Sequence, residues 1–162
     1  MRRTAAGDAA AFGELVKGTK ALVAGIIYRF LGHVRETEDI AQEVYLRAWA
    51  ARGRWQPTAR VTTWLATIAS RLCLNERQKL ARRQTLPEQE VASPEDERLG
   101  SEEAQRVRQA VLSLADDQRL AIALKYFGER TDREVAEAMD LSLSAAQALL
   151  FRARRKLVDF LK

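Results

Sequence analysis

The sequence contains too little cysteine and histidine to build the sites that these residues usually form. Among its 162 residues there is a single cysteine, Cys73, and a single histidine, His33. One cysteine excludes a disulfide framework within the chain, and the two residues together leave zinc binding and histidine-based catalysis almost without ligands. We therefore expect no metal site and no cofactor.

Long apolar runs and targeting segments are also missing. The most apolar stretch, residues 21–32, is interrupted by Arg29 and is shorter than the roughly 20 residues of a membrane span. No apolar segment of a signal peptide follows Arg2 and Arg3. Because glycine-rich phosphate loops and nucleophile–base pairs are absent too, the sequence predicts a cytoplasmic protein without enzymatic activity, small-molecule substrate or membrane insertion.

Patterns of β-strands are nearly absent, whereas helical patterns recur. The sequence has no sustained alternation of period two and no Asn-Gly turn, and apolar residues return at helical spacing instead. The predicted fold class is all-α: two small helical domains joined by an acidic flexible linker, the second containing a helix-turn-helix. The domains are expected over residues 1–83 and 104–162, with the linker over residues 84–103. In the first domain we expect helices over about residues 8–19, 22–31, 37–51 and 62–83.

Charge is distributed unevenly among these three segments. Residues 1–83 hold 15 Lys/Arg and 7 Asp/Glu, residues 84–103 hold 1 and 7, and residues 104–162 hold 11 and 8. The two basic domains favour a polyanionic partner such as nucleic acid. The acidic connector, with Pro87 and Pro94 and few large apolar residues, is typical of an extended, flexible segment.

Residues 131–150 fit a helix-turn-helix, although an ordinary helical corner is an alternative. Ala136 is small where the two helices must approach each other. Asp140 stands at the turn, where glycine is common, and we expect it in a left-handed conformation at a cost of about 1 kcal/mol. Ser142 or Ser144 can cap the second helix.

Helical spacing divides the last helix into two faces. The side expected to face the core carries Leu143, Ala146, Leu150, Ala153 and Leu157. The opposite side carries Ser144, Gln147, Ala148, Phe151 and Arg155, with Arg152 and Arg154 at its margins. In the major groove, Gln147 can pair with an adenine edge and Phe151 can touch a thymine methyl group. Packing of Phe151 against a neighbouring helix is the alternative.

Three segments together resemble bacterial RNA polymerase sigma factors. They are residues 36–49 (ETEDIAQEVYLRAW), 61–79 (VTTWLATIASRLCLNERQK) and 114–157. They resemble, in order, the helix that binds the polymerase clamp, the helix that melts and reads the −10 element, and the domain that reads the −35 element. The small size and the acidic linker are similar to the extracytoplasmic-function (ECF) group. The resemblance implies a factor that binds core polymerase and directs it to promoters.

The resemblance also implies which residues bind. The clamp is expected to contact the side of the 37–51 helix opposite its apolar stripe, which carries Asp39, Gln42, Glu43 and Leu46. The −10 element is expected to contact Arg54, Arg60, Thr62, Arg71, Asn75, Arg77 and Lys79. Trp55 can stack on a flipped base or close the helical core. Because many family members have Asn at the position of Arg71, the preferred base there stays open.

For the −35 element, the resemblance implies contacts from Ser142, Ser144, Gln147, Phe151, Arg152, Arg154 and Arg155. Gln147, Ala148 and Leu149 depart from the Lys/Arg, Ser and Arg that the family more often has. Up to two cationic contacts are therefore expected to be lost, which lowers the salt dependence of binding. The acidic linker is expected to thread through the polymerase.

The expected partners are the clamp and flap of core RNA polymerase, promoter DNA and an anti-sigma factor. Two other functions remain open. Because the final helix has fewer cationic DNA contacts than the family pattern, the protein could instead be a decoy that binds an anti-sigma factor by mimicry. A stand-alone helix-turn-helix regulator is the other alternative, but it leaves residues 36–49 unexplained.

Overall fold

The chain is helical throughout the part that the structure describes. The computed structural model describes residues 1–58, 60–83 and 101–162, and only the backbone of residues 34, 35 and 83. These ranges contain eight α-helices and no β-strand. The helices are α1 (Arg2–Ala5), α2 (Ala9–Leu31), α3 (Val34–Ala50), α4 (Val61–Arg83), α5 (Glu102–Leu112), α6 (Asp116–Ile122), α7 (Asp132–Met139) and α8 (Leu143–Leu161). A 3₁₀ turn (Arg52–Arg54) follows α3, and a π-helical turn (Ala123–Phe127) extends α6.

Helix α2 begins and ends where the sequence predicts, but it is one helix rather than two. Asp8 caps its start by accepting a hydrogen bond from the Ala11 amide at 2.9 Å. Gly32 ends it in the left-handed conformation, with φ 86°. Thr19 does not interrupt the helix, since its buried hydroxyl lies 2.9 Å from the hydroxyl of Tyr45.

The first module, residues 1–83, is a bundle of α2, α3 and α4, which pack against one another. Its core consists of apolar side chains from all three helices. They include Val23, Ile26, Ile27, Phe30, Val44, Ala48, Leu65, Ala69 and Leu72. The predicted third and fourth helices are thereby found within a few residues of their expected bounds.

The second module, residues 101–162, contains the predicted helix-turn-helix in α7 and α8. Thr131 and Glu134 form a capping box at the start of α7. Asp140 occupies the turn in the left-handed conformation, with φ 56° and ψ 46°, as expected. Ser142 caps α8 by accepting a hydrogen bond from the Ala145 amide at 3.2 Å.

Residues 84–100 of the predicted linker lie outside the described residues. Helix α5 starts at Glu102, within the last three residues of the predicted linker. Ser101 is its N-cap and accepts a hydrogen bond from the Ala104 amide at 3.3 Å. The first helix of the second module thus begins two residues before residue 104, the predicted start of that domain.

The two modules pack against each other and share one apolar core. Arginines of the second module bind carbonyl groups at the C-terminal end of α2, where a helix leaves acceptors unpaired. Arg119 Nη1 donates to the Phe30 carbonyl at 3.1 Å, and Arg108 donates to the carbonyl of Gly32. Gly32 itself lies under Leu112, whose Cδ2 would be 2.9 Å from a Cβ atom there, so the leucine side chain would have to shift.

Candidate functional site

The outer face of α3 presents most of the residues predicted to bind polymerase. Asp39, Gln42 and Leu46 are exposed, and 66% of the surface of Leu46 is accessible. Glu43 is less exposed and pairs with Arg47 at 2.6 Å. The face thus combines carboxylates and an amide with one leucine that no neighbouring side chain covers.

An apolar groove runs beside this face, between α2 and α3. It consists of two adjoining cavities of about 660 and 500 Å³, which share Val16, Gln42 and Tyr45 as lining residues. Phe12 and Trp49 line the second cavity, with their ring centroids 5.0 Å apart. Together with Leu46, the groove offers an apolar side chain of a partner helix a place to pack. The sequence patterns did not indicate this groove, because its two walls are 30 residues apart in the chain.

Most of the residues predicted to bind the −10 element are exposed. Arg54 and Arg60 lie in the segment before α4, and Arg71, Asn75 and Lys79 follow along α4. Asn75 and Lys79 line a polar cleft of about 450 Å³ between α3 and α4, with Gln78 and Arg82. Lys79 also pairs with Glu76 at 3.3 Å. The helix therefore presents a polar, basic side, as predicted from its spacing.

Two of the predicted −10 residues contact the second module. The Thr62 hydroxyl accepts a hydrogen bond from Arg130 Nη1 at 2.7 Å. Arg77 Nε donates to Asp116 Oδ1 at 3.2 Å. Both pairs span the two modules, so both side chains already have a partner in this arrangement.

A buried ion pair that the sequence did not reveal lies at the same place. Arg130 Nη1 is 3.5 Å from Glu134 Oε1, and Thr63 donates its hydroxyl to that oxygen at 2.7 Å. Burial raises the pKa of Glu134, but hydrogen bonds from Thr131 and Thr63 and the charge of Arg130 outweigh it and lower the pKa to about 2. Glu134 is therefore ionised and fully engaged, both in its capping box and across the modules.

The outer side of α8 forms a continuous exposed surface. Ser144, Gln147, Phe151, Arg152 and Arg155 are all exposed, and 63% of the surface of Phe151 is accessible. This excludes the alternative that Phe151 packs against a neighbouring helix of the described chain. Ser142 and Arg154 are exposed as well, but Ser142 also caps the helix, and Arg154 donates to the Leu150 carbonyl.

The inner side of α8 differs from the prediction at two leucines. Ala146, Leu150 and Ala153 are buried as expected, but Leu143 is 40% exposed and Leu149 only 4%. Both leucines lie about 60° from the centre of the buried stripe, at 100° per residue. Leu149 therefore belongs to the core and cannot contact DNA. Of the two positions where the family more often has a cation, only Gln147 is exposed, so the expected loss falls to one cationic contact.

Other classes of site find little support in the described residues. No group of three His, Cys, Asp or Glu side chains lies close enough there to hold a metal ion. Cys73 is buried, and burial raises the pKa of its thiol to about 12. None of the helices described has both the length and the apolar character of a membrane span.

Comparison with known families accounts for both modules. Residues 15–83 match the family model of Sigma-70 region 2, and residues 104–157 match that of Sigma-70, region 4. Together they cover well over half of the chain. The match to region 2 includes residues 36–49, which a stand-alone helix-turn-helix regulator leaves unexplained.

Relatives of known function extend along nearly the whole chain. The sequence is 29% identical to the ECF RNA polymerase sigma factor SigW of Bacillus subtilis, over 97% of this chain and 92% of that protein. It is 28% identical to the RNA polymerase sigma-H factor of Pseudomonas aeruginosa, over 95% of this chain and 88% of that protein.

The fold is also that of solved sigma factors. CnrH, solved in complex with the cytosolic domain of CnrY, superposes with a TM-score of 0.75 at 24% identity, covering 99% of this chain and 93% of CnrH. RpoE of Bartonella quintana, solved with the anti-sigma factor NepR, gives 0.78 at 21% identity, covering 93% of this chain and 96% of RpoE.

These matches define the class of protein as a transcription initiation factor. The chain belongs to the sigma-70 family, within its ECF group. It binds core RNA polymerase and directs it to promoters. The resemblance inferred from the sequence is thus confirmed, and so is the all-α fold class.

Proposed function

We propose that the two regions divide the work of promoter recognition. Residues 1–83 bind core polymerase and recognise and melt the −10 element, and residues 104–162 recognise the −35 element. Residues 84–103 connect them. The observation that carries this proposal is the match to regions 2 and 4, in that order, with exposed candidate faces on α3 and α8. The factor supplies no catalysis of its own and acts in the cytoplasm.

In this proposal the clamp of the polymerase docks on α3 through Asp39, Gln42, Glu43 and Leu46. The support is the exposed leucine beside the apolar groove, with carboxylates around it. An apolar side chain of the clamp helix would enter the groove, and its cations would meet the carboxylates. The flap of the polymerase contacts region 4.

The −10 element would be held by the basic side of α4 and the segment before it. Arg54, Arg60, Arg71, Asn75 and Lys79 are exposed, whereas Thr62 and Arg77 are partly exposed and also contact the second module. Melting requires a base to leave the stack, which costs a few kcal/mol. Phosphate contacts from these cations offset that cost.

The −35 element would meet the exposed side of α8 in the major groove. Gln147 and Phe151 are positioned for base edges, and Arg152, Arg154 and Arg155 for phosphates. Ser142 and Ser144 lie at the helix start, where phosphates also bind. Because Leu149 is a core residue, this surface lacks fewer DNA-contacting side chains than the sequence suggested. The α8 surface therefore gives less support to the alternative that the protein is a decoy.

We also propose that an anti-sigma factor controls this protein. CnrH and RpoE were solved with protein partners, in the second case one named an anti-sigma factor. The groove between α2 and α3 is a surface on which such a partner would compete with the polymerase clamp.

Run-off transcription of genomic DNA with core polymerase tests the proposal. We expect start sites that appear only when the factor is added, preceded by shared −10 and −35 motifs. A protein that binds core polymerase without directing it to any start site would contradict promoter function. A decoy would bind an anti-sigma factor and still form no open promoter complex.

A further inference from the structure

Gln147, the proposed base-reading residue of α8, has a partner on α7. Helix α7 packs against α8 within the helix-turn-helix. The side chain of Gln147 hydrogen-bonds to that of Asp132, the first residue of α7. Gln147 is exposed, and the side chain of Asp132 is 30% exposed. The pair therefore lies at the edge of the surface proposed to meet DNA.

Two cations keep Asp132 in its ionised form. Lys125 Nζ lies 2.8 Å from Asp132 Oδ1. The hydrogen bond with Lys125 lowers the pKa of Asp132; burial opposes this shift, and the charge of Arg154 adds to it. Arg154 follows Gln147 by about two helical turns, so both side chains lie along one side of α8. Asp132 is thus a carboxylate beside that side of the helix.

An ionised carboxylate determines which way the amide of Gln147 points. A carboxylate has no hydrogen to donate, so its partner in Gln147 is the amide nitrogen and not the carbonyl oxygen. One N–H of the amide is thereby occupied by Asp132. The carbonyl oxygen and the second N–H, one acceptor and one donor, are left for DNA.

One acceptor beside one donor is the pattern that pairs with adenine. In the major groove adenine presents its N6 amino donor next to its N7 acceptor, whereas guanine presents two acceptors, O6 and N7. A glutamine whose amide can turn is able to offer both of its N–H groups to guanine. Because Asp132 occupies one N–H of Gln147, the carbonyl oxygen would face an acceptor of guanine. A held amide therefore favours adenine over guanine.

We propose that Asp132, itself held by Lys125, is a positioning residue that fixes the side-chain amide of Gln147 for adenine at one position of the −35 element. The inference rests on the proposed contact of α8 with that element. Asp132 reads no base and acts through Gln147. Lys125 and Arg154 compensate its negative charge, so the DNA-binding surface gains no unpaired carboxylate.

The first test measures base preference as well as affinity. Holoenzyme formed with the wild-type factor, Asp132→Ala, Gln147→Ala or the double variant is titrated on fragments of a promoter that run-off transcription has identified. The fragments carry each of the four base pairs in turn at every position of the −35 motif. The matched control is Glu137→Ala, which removes the same charge from an exposed position of α7.

We expect the wild-type holoenzyme to prefer adenine over guanine roughly tenfold at one position, and Gln147→Ala to abolish this preference. Asp132→Ala should lower it at least roughly threefold at the same position, because the amide must then be ordered on binding. In the double variant Asp132→Ala should change nothing further at that position. Loss of charge alone, as in Glu137→Ala, should change the affinity for all base pairs alike.

The second test needs no DNA. NMR spectra of the free factor report the two side-chain amide protons of Gln147, and they also establish that each variant folds. The proton bonded to Asp132 should shift in Asp132→Ala and keep its position in Glu137→Ala.

The inference is overturned if Asp132→Ala leaves the amide protons of Gln147 in place, or lowers base preference at several positions equally. If Gln147→Ala abolishes a preference that Asp132→Ala leaves intact, the inference alone is wrong. If Gln147→Ala changes no preference, Gln147 reads no base, and its proposed role at the −35 element fails together with the inference.

Discussion

Replacing Arg152 by alanine should weaken promoter binding and leave core polymerase binding unchanged. Arg152 is exposed on α8 beside Phe151 and Arg155, on the side proposed to face the −35 element. It lies on the far side of the helix from the buried Ala146, Leu150 and Ala153, so its loss should not disturb the core.

The size of the effect follows from the chemistry of a phosphate contact. Each such contact contributes about 0.9 to the slope of log affinity against log salt concentration. The ratio of wild-type to variant affinity should therefore fall roughly 3.5-fold between 50 and 200 mM salt. If Arg152 instead reads a base edge, the loss should depend on the base pair at one position.

The assay is a titration of holoenzyme on a promoter fragment that run-off transcription has identified, at several salt concentrations. The matched control is Lys162→Ala, which removes the same charge just beyond the C-terminal end of the same helix. An unchanged promoter affinity for Arg152→Ala, or an equal loss for Lys162→Ala, would refute the proposed orientation of α8.

Four further predictions test other parts of the structure. Leu46→Asp should weaken core polymerase binding at least roughly tenfold, because it places a charge beside the apolar groove. The control is Ala50→Asp, at an exposed position one turn further along α3. An equal effect of both variants would exclude a specific contact of Leu46. Arg119→Met should lower the free energy of unfolding in urea by roughly 3 kcal/mol, since it leaves the carbonyls of Phe30, Leu112 and Leu114 without their donor. Arg106 is exposed, so Arg106→Met is the control, and an equal loss of stability in both variants would contradict this prediction. The pKa of Glu134 is lowered from 4.5 to about 2, so its charge stabilises the fold above about pH 4.5, and this contribution is lost as the pH falls toward 2. The difference in the free energy of unfolding between wild type and Glu134→Gln should therefore shrink over that interval. A constant difference would argue against the ion pair of Glu134 with Arg130. Cys73 should react with a thiol reagent at pH 8 only after unfolding, given its burial and its pKa of about 12, and reaction at the rate of a free thiol would show that the core is open.

Local signals in the sequence were sufficient for the helices and their ends. Asp8, Gly32 and Asp140 each occupy the cap or turn conformation that their residue types favour. The helix-turn-helix followed from the same reasoning. The predicted break within α2 was wrong: the helix continues from Ala9 to Leu31, and the Thr19 hydroxyl within it meets that of Tyr45.

The faces of α8 were predictable only in part. Helical spacing assigns the centre of a buried stripe well and its margins poorly. Leu143 and Leu149 lie on opposite margins, and neighbouring helices decide which of them is covered. A departure from the family pattern at Leu149 was therefore misread as a change in the DNA surface.

The packing of the two regions could not be predicted from sequence. Thr63 and Glu134 are 71 residues apart, and the intervening segment carries no signal that would pair them. The structure shows a capping box at Thr131 and Glu134, and a local motif of this kind does not indicate that the carboxylate also bonds to region 2. Polar contacts across modules arise from tertiary geometry, which periodicity does not encode.

The central claim is that this chain directs core RNA polymerase to promoters through two separate surfaces. Genome-wide run-off transcription with purified core polymerase tests it most directly. We predict factor-dependent start sites with a shared −10 and −35 motif. Transcription from these sites should fall with Arg152→Ala, which weakens contact with the −35 motif, and should be lost with Leu46→Asp, which weakens core polymerase binding. Factor-dependent start sites that lack any shared motif, or none at all despite binding to core polymerase, would contradict the account.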